Sequence, residues 1–313
     1  MKVLVTGATG FTGSYLVPLL LQQGLAVRCF IRPASKTNVL PVKHLELIQG
    51  DLADSHSLQA ALSGVEALVN LASLGFGHAE GIVAAAVRAG IRRAVFISTT
   101  AIFTRLDPTS KSVRRKAEET IENSGLAYTI LRPTMIYGSS RDRNMCRLIR
   151  YLQRWPVIPV FGGRNSLQQP VYVADVADAV SRSLQENRAM GKSYNIPGGS
   201  ALTLDQIIST ICCLMKWRVR RIRLPTAPIV AVLTTAERLS VKLPIKAEQI
   251  LRLNEDKSFD FPEASQDFGY APRSFDAGIA LELRQLGLLD DAIHGDFEER
   301  EEPRAVLPPP QNL

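Results

Sequence analysis

The feature of the sequence that most constrains its fold is a glycine-rich turn near the N-terminus. The turn Thr6-Gly7-Ala8-Thr9-Gly10-Phe11-Thr12-Gly13 follows an apolar strand candidate, Lys2–Thr6, and opens a helical pattern. Gly7 permits a tight turn, Gly10 lets the backbone approach a phosphate, and Gly13 lets the helix pack close to the strand. The free N–H groups at the start of such a helix favour a bound anion. The turn therefore predicts a pyrophosphate-binding loop at the first strand–helix junction of an α/β domain.

Apolar strand candidates alternate with helical stretches along the first 137 residues. After the first strand, the sequence predicts strands at Ala26–Ile31, Leu45–Gln49, Ala67–Ala72, Ala94–Ser98 and Tyr128–Arg132. These runs lack the polar alternation of a half-exposed sheet, so both faces of the sheet must be covered. Because βαβ connections are right-handed, the pattern predicts a Rossmann-type doubly wound parallel sheet.

The alternation becomes less regular after Gly138, where we expect a small C-terminal α/β substrate lobe. Helices are predicted at Asp142–Arg154, Asp175–Gln185 and Thr203–Lys216, with short strands among them, including Val157–Phe161. We assign residues 1–137, with a contribution from 157–185, to the nucleotide-binding domain. Residues 138–156 and 186–295 form the lobe, and the acidic, proline-rich residues 296–313 form a disordered tail.

The composition is that of an ordinary globular protein. The chain has 313 residues, of which 46% are hydrophobic and 21% charged. Its four cysteines show no CxxC spacing and its four histidines are scattered, so we expect neither a disulfide framework nor a metal site. We expect no signal segment, and no apolar run reaches the ~20 residues needed to span a bilayer. These observations predict a reducing, cytoplasmic environment.

The charge distribution favours an anionic partner. The net charge is +7, and the tail from Asp296 carries five acidic residues and two arginines, which leaves the body at +10. An anionic small molecule fits this charge. Nucleic acid is not expected, because the chain has no zinc finger, aromatic RNP pattern or long Lys/Arg run.

Two basic segments stand out. One is a helical stripe of Arg143, Arg147, Arg150 and Arg154, and the other is Lys216–Arg223. A solvated surface is one interpretation of each segment. For Lys216–Arg223, contact with an acidic partner or a membrane surface is the alternative.

The chain resembles the short-chain dehydrogenase/reductase superfamily in its extended and atypical branches, including epimerase/dehydratase-like and NmrA-like proteins. It has their TGxxGxxG form of the glycine loop. Further matching segments are Gly50-Asp51-Leu52, Asn70-Leu71-Ala72, Ser98-Thr99-Thr100, Lys116-Ala117-Glu118, Leu131-Arg132-Pro133, Ile136-Tyr137-Gly138 and Val171–Ala177. The resemblance extends to about residue 290. It implies an NAD(P)-dependent oxidoreductase or epimerase-like enzyme, and a homodimer formed through two helices.

The end of the second strand favours NADP(H) over NAD(H). An acidic residue there would bind the ribose 2′-hydroxyl of NAD and repel a 2′-phosphate. This chain has Arg32 instead, followed by Lys36, and arginine binds phosphate through two parallel hydrogen bonds. The resemblance places Asp51 and Leu52 beside the adenine. It implies further cofactor contacts at Leu71, Ala72, Ser98, Lys116 and Pro133.

The resemblance implies three catalytic groups, and one of them is missing. A tyrosine acts as the general acid/base, a lysine four residues later lowers its pKa, and a Ser or Thr holds the substrate oxygen. Lys116 and Thr100 fill two of these positions, but Ser112 stands at the tyrosine position. A serine hydroxyl has too high a pKa to replace a phenol simply. Tyr137 or Lys116 itself would have to serve. The alternative is an NAD(P)H-binding sensor, regulator or accessory subunit without turnover.

Substrate-binding residues are expected at the carboxyl edge of the sheet. Phe76 and His78 follow the fourth strand in a glycine-rich segment, and His78 can titrate near neutrality. Arg141, Asn144 and Met145 match loosely the segment with which sugar-nucleotide epimerases bind a diphosphate. The arginine that those enzymes carry before the Val171–Ala177 segment is absent here. We therefore expect a sugar-like or small carbonyl or hydroxyl compound.

Overall fold

Seven parallel strands form the central sheet in the computed structural model, which describes residues 1–106, 109–161, 166–239 and 247–290. The strands are β1 (Lys2–Thr6), β2 (Ala26–Ile31), β3 (Glu46–Gln49), β4 (Ala67–Asn70), β5 (Arg93–Ile97), β6 (Tyr128–Pro133), β7 (Ile136–Tyr137), β8 (Val157–Phe161), β9 (Leu167–Gln168), β10 (Val171–Tyr172), β11 (Lys192–Ile196), β12 (Leu202–Thr203) and β13 (Arg220–Leu224). The helices are α1 (Gly13–Gln22), α2 (Ser55–Leu62), α3 (Ala79–Arg88), α4 (Thr109–Glu122), α5 (Met145–Arg154), α6 (Val173–Gln185), α7 (Leu204–Leu214), α8 (Thr226–Arg238), α9 (Ala247–Leu253), α10 (Pro262–Phe268) and α11 (Phe275–Gln285).

The order of the strands creates a crevice at the carboxyl edge of the sheet. The order is β11-β6-β5-β4-β1-β2-β3, and every neighbouring pair is parallel. The chain order reverses between β1 and β4, so the connections leave these two strands in opposite directions. Open α/β sheets bind ligands at such a point. The predicted Rossmann-type doubly wound fold is confirmed.

Both faces of the sheet are covered, which explains the continuous apolar runs of its strands. Val3 and Val5 of β1 belong to the core cluster on the face covered by α1 and α6. Leu4, between them, belongs to the cluster on the opposite face, which α2, α3 and α4 cover. Because neighbouring side chains of a strand point to opposite faces, each strand needs apolar residues at every position.

The smaller lobe has its own core, built largely from α5, α7 and α11. Ile149, Ile211 and Ile279, one from each of these helices, are fully buried in it. Three two-stranded sheets border this core. They pair β7 with β10, β8 with β13 and β9 with β12.

The strand pairing differs from the predicted domain boundaries in two places. The strand β11 lies within 186–295, which was assigned to the lobe, but it pairs with β6 at the edge of the central sheet. The strand β8 lies within 157–185 but pairs with β13 of the lobe. A local apolar pattern predicts a strand without specifying its partner, so these assignments needed the structure. The prediction of a disordered tail at 296–313 lies outside the described residues.

Candidate functional site

The glycine loop has the geometry that its sequence predicts. Gly7 has a positive φ of 68°, and the N–H of Gly10 donates to the Gly7 carbonyl across 2.8 Å. A Cβ on Gly10 would lie 2.9 Å from that carbonyl oxygen, and a Cβ on Gly13 would collide with the carbonyl oxygens of Gly7 and Ala8. The loop is therefore closed on itself, and α1 begins at its end, where the Ser14 and Tyr15 N–H groups donate to the Gly10 and Thr12 carbonyls across 3.1 Å.

The end of β4 is held against this loop. The Thr6 hydroxyl donates to Oδ1 of Asn70 across 2.6 Å, and Nδ2 of Asn70 donates to the Ala72 carbonyl across 3.0 Å. A Cβ on Gly7 would lie 3.0 Å from the Ala72 nitrogen and from the Leu71 carbonyl carbon. The structure thus brings the predicted cofactor residues Leu71 and Ala72 beside Gly7.

A buried hydroxyl without a partner lies at the end of β5. The backbone N–H of Ser98 donates to the Leu131 carbonyl across 2.8 Å, but its Oγ has no hydrogen-bond partner among the described residues. Leaving a buried polar group unsatisfied costs about 1–3 kcal/mol. A polar ligand in the crevice would satisfy this hydroxyl. The glycine loop and Ser98 together fit a dinucleotide.

Thr100 and Pro133 lie together beside this position. The Thr100 hydroxyl donates to the Pro133 carbonyl across 3.4 Å, and both residues are buried. A hydrogen bond of this length is weak. The hydroxyl can exchange it for a better acceptor.

The basic residues after β2 are free to bind a ligand. Arg32 and Lys36 are exposed, and neither side chain makes a hydrogen bond or ion pair with the described part of the chain. The place of Asp51 beside the adenine stays a prediction. Its carboxylate accepts from the Ala53 N–H across 2.9 Å and so stabilises its own turn. Leu52 is half-buried and packs against the core cluster around α2.

Helix α4 holds the remaining catalytic candidates on its surface. The Ser112 hydroxyl donates to the Thr109 carbonyl of its own helix across 2.8 Å. The Lys116 ammonium pairs with the Glu80 carboxylate across 2.8 Å, and this hydrogen bond raises the pKa of Lys116. The Lys116 side chain is 75% exposed. The Lys116 ammonium is therefore engaged with Glu80, whereas the Thr100 hydroxyl donates to Pro133.

The prediction of a catalytic role for Tyr137 is wrong. The side chain is 1% exposed and packs against Tyr172 and Phe275, with ring centroids 5.6 and 5.5 Å apart. A Cβ on Gly278 would collide with its hydroxyl, so α11 closes over it. Burial raises the pKa of Tyr137 far above that of an exposed phenol. The residue cannot reach a ligand in the crevice.

Two of the predicted substrate residues have other roles. Met145 is 1% exposed and packs in the core of the lobe, so it is not available to a substrate. Arg141 contacts the glycine loop instead. Its Nη2 donates to the Thr9 carbonyl across 2.6 Å and its Nη1 to the Gly10 carbonyl across 3.3 Å. The Arg141 side chain therefore lies against the glycine loop.

The other substrate candidates are accessible. Phe76 is 73% exposed, and His78, just before α3, is half-buried. Asn144, just before α5, is exposed. The assignment of Phe76, His78 and Asn144 to substrate binding stays a prediction.

The carboxylate of Glu255, from the lobe, binds the turn after β5. The sequence contains no signal that predicts this contact. Both oxygens of Glu255 accept from the Thr104 hydroxyl, at 2.8 and 2.7 Å, and Oε1 also accepts from the Arg105 N–H at 2.7 Å. The rings of Phe103 and Phe259 lie 5.7 Å apart beside this contact. The partners are about 150 residues apart in sequence, so local patterns could not reveal it.

The chain is similar to several characterised proteins. The sequence profile of the NAD(P)H-binding family matches residues 7–187. A 3 beta-hydroxysteroid dehydrogenase/Delta 5→4-isomerase of Mycobacterium tuberculosis is 24% identical over 324 residues, which cover 87% of this chain and 86% of that protein. The mitochondrial NADH dehydrogenase (ubiquinone) 1 alpha subcomplex subunit 9 of Arabidopsis thaliana is 27% identical over 280 residues, covering 80% and 67%. Among solved structures, an NADPH-dependent quinone oxidoreductase of Escherichia coli has a TM-score of 0.69 and 24% identity, covering 88% and 97%.

The fold, the glycine loop and the family match define the class of this protein. It is an NAD(P)-binding Rossmann protein. It belongs to the NAD(P)H-binding family, whose profile covers more than half of the chain.

Proposed function

We propose that the protein binds NADP(H) in preference to NAD(H) and acts as an oxidoreductase on a small carbonyl or hydroxyl compound. The observation that carries the cofactor preference is the exposed, unpaired guanidinium of Arg32 at the carboxyl end of β2, where no acidic residue stands. A 2′-phosphate supplies the charge and the two acceptors that an arginine fork binds. The solved E. coli quinone oxidoreductase, which is NADPH-dependent, has the same fold.

Different residues of the crevice would bind different parts of the dinucleotide. The loop from Gly7 to Gly13 and the start of α1 would receive the pyrophosphate, and Arg141 lies against this loop with its positive charge. The Ser98 hydroxyl, buried without a partner, would hydrogen-bond the bound cofactor or substrate. When bound, the nicotinamide donates or accepts a hydride.

The protein must hold the substrate oxygen and move one proton. Reduction of a carbonyl adds hydride to carbon and a proton to oxygen. The Thr100 hydroxyl would leave its long bond to Pro133 and donate to the substrate oxygen. Lys116 would supply the proton, because Tyr137 is buried and Ser112 hydrogen-bonds its own helix. This role requires the Lys116 ammonium to leave the exposed Glu80 carboxylate.

A second candidate function is nucleotide binding without turnover. It is favoured by the absence of an accessible phenol at the tyrosine position, since Ser112 stands there and Tyr137 is buried. A relative in Arabidopsis is a subunit of NADH dehydrogenase, which is consistent with a structural or sensing role. Both candidates require the same nucleotide loop.

Fluorescence titration with NADPH and NADH tests the shared step. We expect NADPH to bind more tightly than NADH, and Arg32→Ala to abolish the preference by weakening NADPH alone. Arg92→Ala, which removes an exposed arginine elsewhere, is the matched control. Equal affinities in the wild-type protein would refute the NADP(H) preference.

Turnover separates the two candidate functions. NADPH oxidation is followed with a panel of quinones, aldehydes and ketosteroids, using protein that binds NADPH. Oxidation that depends on Thr100 establishes the oxidoreductase. Tight NADPH binding without oxidation of any panel member favours the binding protein.

A further inference from the structure

A basic and apolar surface lies on the lobe. It runs from the end of α5 across the β8–β13 sheet to α8, and we call it the lobe face. Its basic residues are Arg150, Arg154, Arg218 and Arg220. Its exposed apolar residues are Trp155 (52% exposed), Ile222 (45%), Leu224 (36%), Val232 (66%) and Leu239 (71%).

Short chain connections and one hydrogen bond join the elements of this face. Helix α5 ends at Arg154, whose guanidinium lies 5.8 Å from the centroid of the Trp155 ring. The next residue, Pro156, accepts a hydrogen bond from the Arg220 N–H across 2.8 Å, and Arg220 begins β13. Helix α8 then starts two residues after β13 ends.

The two sides of β13 have different environments. Arg221 and Arg223 turn towards α7, where Arg221 donates to the Ser209 hydroxyl across 2.8 Å and Arg223 pairs with Asp205. Side chains alternate along a strand, so Arg220, Ile222 and Leu224 point the other way. All three are exposed. Packing within the described residues leaves Ile222 and Leu224 45% and 36% exposed, so a partner could cover them further.

The basic residues of the lobe face are unneutralised. Within the described ranges, the side chains of Arg150, Arg154, Arg218 and Arg220 make no ion pair and no hydrogen bond. A nearby groove of about 750 Å³ is lined partly by Ser209, Cys212 and Cys213 of α7 and by Arg221, so it opens towards α7 and is not part of the lobe face. The four arginines of the lobe face are available to phosphate groups at the surface.

Helix α8 is unusually apolar for a helix at the surface. Its sequence TAPIVAVLTTAER has no charged residue before Glu237, and none of its described side chains is buried. With thirteen residues it is too short to cross a bilayer, and no helix in the described part of the chain has the length and apolar character of a membrane span. A short, exposed apolar helix that follows a basic strand in the chain matches a segment that lies on a membrane rather than through it.

We propose that the lobe face docks on the surface of an anionic phospholipid bilayer. Headgroup phosphates contact the exposed side chains of Arg150, Arg154, Arg218 and Arg220, while Trp155 and α8 lie at the boundary with the acyl chains. Arginines near an anionic leaflet and apolar side chains at its interface stabilise this arrangement together.

The charge and the side-chain types favour a bilayer over other partners. A second copy related by two-fold symmetry would place the same unpaired arginines near one another. Single-stranded nucleic acid is bound through aromatic stacking, whereas Ile222, Leu224 and Val232 are aliphatic. An acidic protein would satisfy the arginines, and the experiment distinguishes this case. The proposal is independent of the nucleotide site.

Vesicle sedimentation with the full chain tests the proposal. Sucrose-loaded vesicles of phosphatidylcholine alone are compared with vesicles containing about one third phosphatidylglycerol at low salt. We expect binding to the anionic vesicles only. The triple variant R150E/R154E/R220E should lower the partition coefficient at least about 100-fold, as three contacts of about 1 kcal/mol each imply. The matched control is K43E/R92E/R115E, which reverses three exposed, unpaired charges elsewhere and should retain binding.

A second pair of variants separates insertion from charge attraction. W155S/V232S removes apolar contacts without changing the charge and should weaken vesicle binding about tenfold. V42S/V87S removes two other exposed apolar side chains and should have no effect. Thermal unfolding confirms that each variant is folded.

Three results would overturn the proposal. The first is equal binding to neutral and anionic vesicles, or to neither. The second is an equal loss in both triple variants, which would show only an effect of net charge. The third is an unchanged affinity in W155S/V232S together with competition by polyglutamate, which would point to an acidic protein instead.

Discussion

Arg141 is joined to Thr9 by a hydrogen bond of 2.6 Å from its guanidinium to the carbonyl oxygen. The two residues lie 132 positions apart, so this contact ties the entrance of the lobe to the nucleotide loop. A carbonyl oxygen is a weaker acceptor for arginine than a phosphate. Arg141 would therefore shift towards the pyrophosphate when a dinucleotide binds.

The substitution Arg141→Ala is expected to weaken NADPH binding about tenfold, equivalent to about 1.4 kcal/mol, because it removes a charged hydrogen-bond donor. Titration of nucleotide fluorescence measures the change. Arg143→Ala, two residues away and exposed, serves as the control and should bind as the wild type does. An unaltered affinity in Arg141→Ala would show that the arginine serves only the fold.

Gly13→Ala is expected to destabilise the protein by several kcal/mol, because the added Cβ would meet the backbone oxygens of Gly7 and Ala8. Gly81 provides a matched control, since a Cβ there meets nothing within 4 Å and the residue lies inside α3. Gly81→Ala should stabilise the protein by about 0.5–1 kcal/mol. Chemical denaturation of both variants checks the pair, and similar stabilities would contradict the crowding argument.

Tyr137→Phe is expected to leave nucleotide binding and any turnover unchanged. The hydroxyl has only a 3.5 Å contact with the Phe275 carbonyl, so its loss should cost less than about 1 kcal/mol. Tyr137→Ala, in contrast, should destabilise the protein by about 3–5 kcal/mol through loss of a buried ring. If Tyr137→Phe abolished turnover in a folded protein, the tyrosine would have to reach the crevice in another conformation.

Glu282 should make the stability depend on pH. Its side chain is fully buried, and burial together with the neighbouring carboxyl of Asp142 raises the pKa of Glu282 to about 10. The folded protein then binds more protons than the unfolded chain between the ordinary value of 4.5 and about 10. The contribution of Glu282 to the free energy of unfolding is therefore fully present below that window and is lost as the pH rises through it.

The substitution Glu282→Gln removes this titration. Between about pH 5 and pH 8, the midpoint of thermal unfolding should fall less for this variant than for the wild type. The loss of this titration should make the free energy of unfolding at pH 8 less unfavourably affected, by on the order of 1–3 kcal/mol. Glu263→Gln, at an exposed position, should follow the wild-type curve. Parallel curves for all three proteins would mean that Glu282 is ionised in the folded state.

The sequence predicts the elements of the fold well where turns bound them. The predicted bounds of Lys2–Thr6, Ala26–Ile31 and Val157–Phe161 coincide with β1, β2 and β8. Helix α5 begins at Met145 rather than at the predicted Asp142. The Asp142 carboxylate lies before the helix and accepts from the Cys146 N–H, so it caps the first turn.

Some features of the candidate site depend on neighbouring residues of the sequence, and others depend on residues far apart in it. The glycine loop could be predicted because a dozen consecutive residues determine it. The burial of Tyr137 could not, since the residues that cover it, Phe275 and Gly278, come more than 130 positions later. Glu255 and the turn after β5 are separated by a similar distance. Contacts across such distances depend on how the lobe folds back onto the sheet.

The place of β11 at the edge of the central sheet has a consequence for folding. The chain leaves the sheet after β6, builds α5 and the first strand of each small sheet, and returns to pair β11 with β6. It then leaves again for β12, α7 and β13, which complete the β9–β12 and β8–β13 sheets. Neither unit is therefore a continuous stretch of chain that could be expressed alone. We expect the two to unfold in one cooperative transition, and a cut made between them to release no stable fragment.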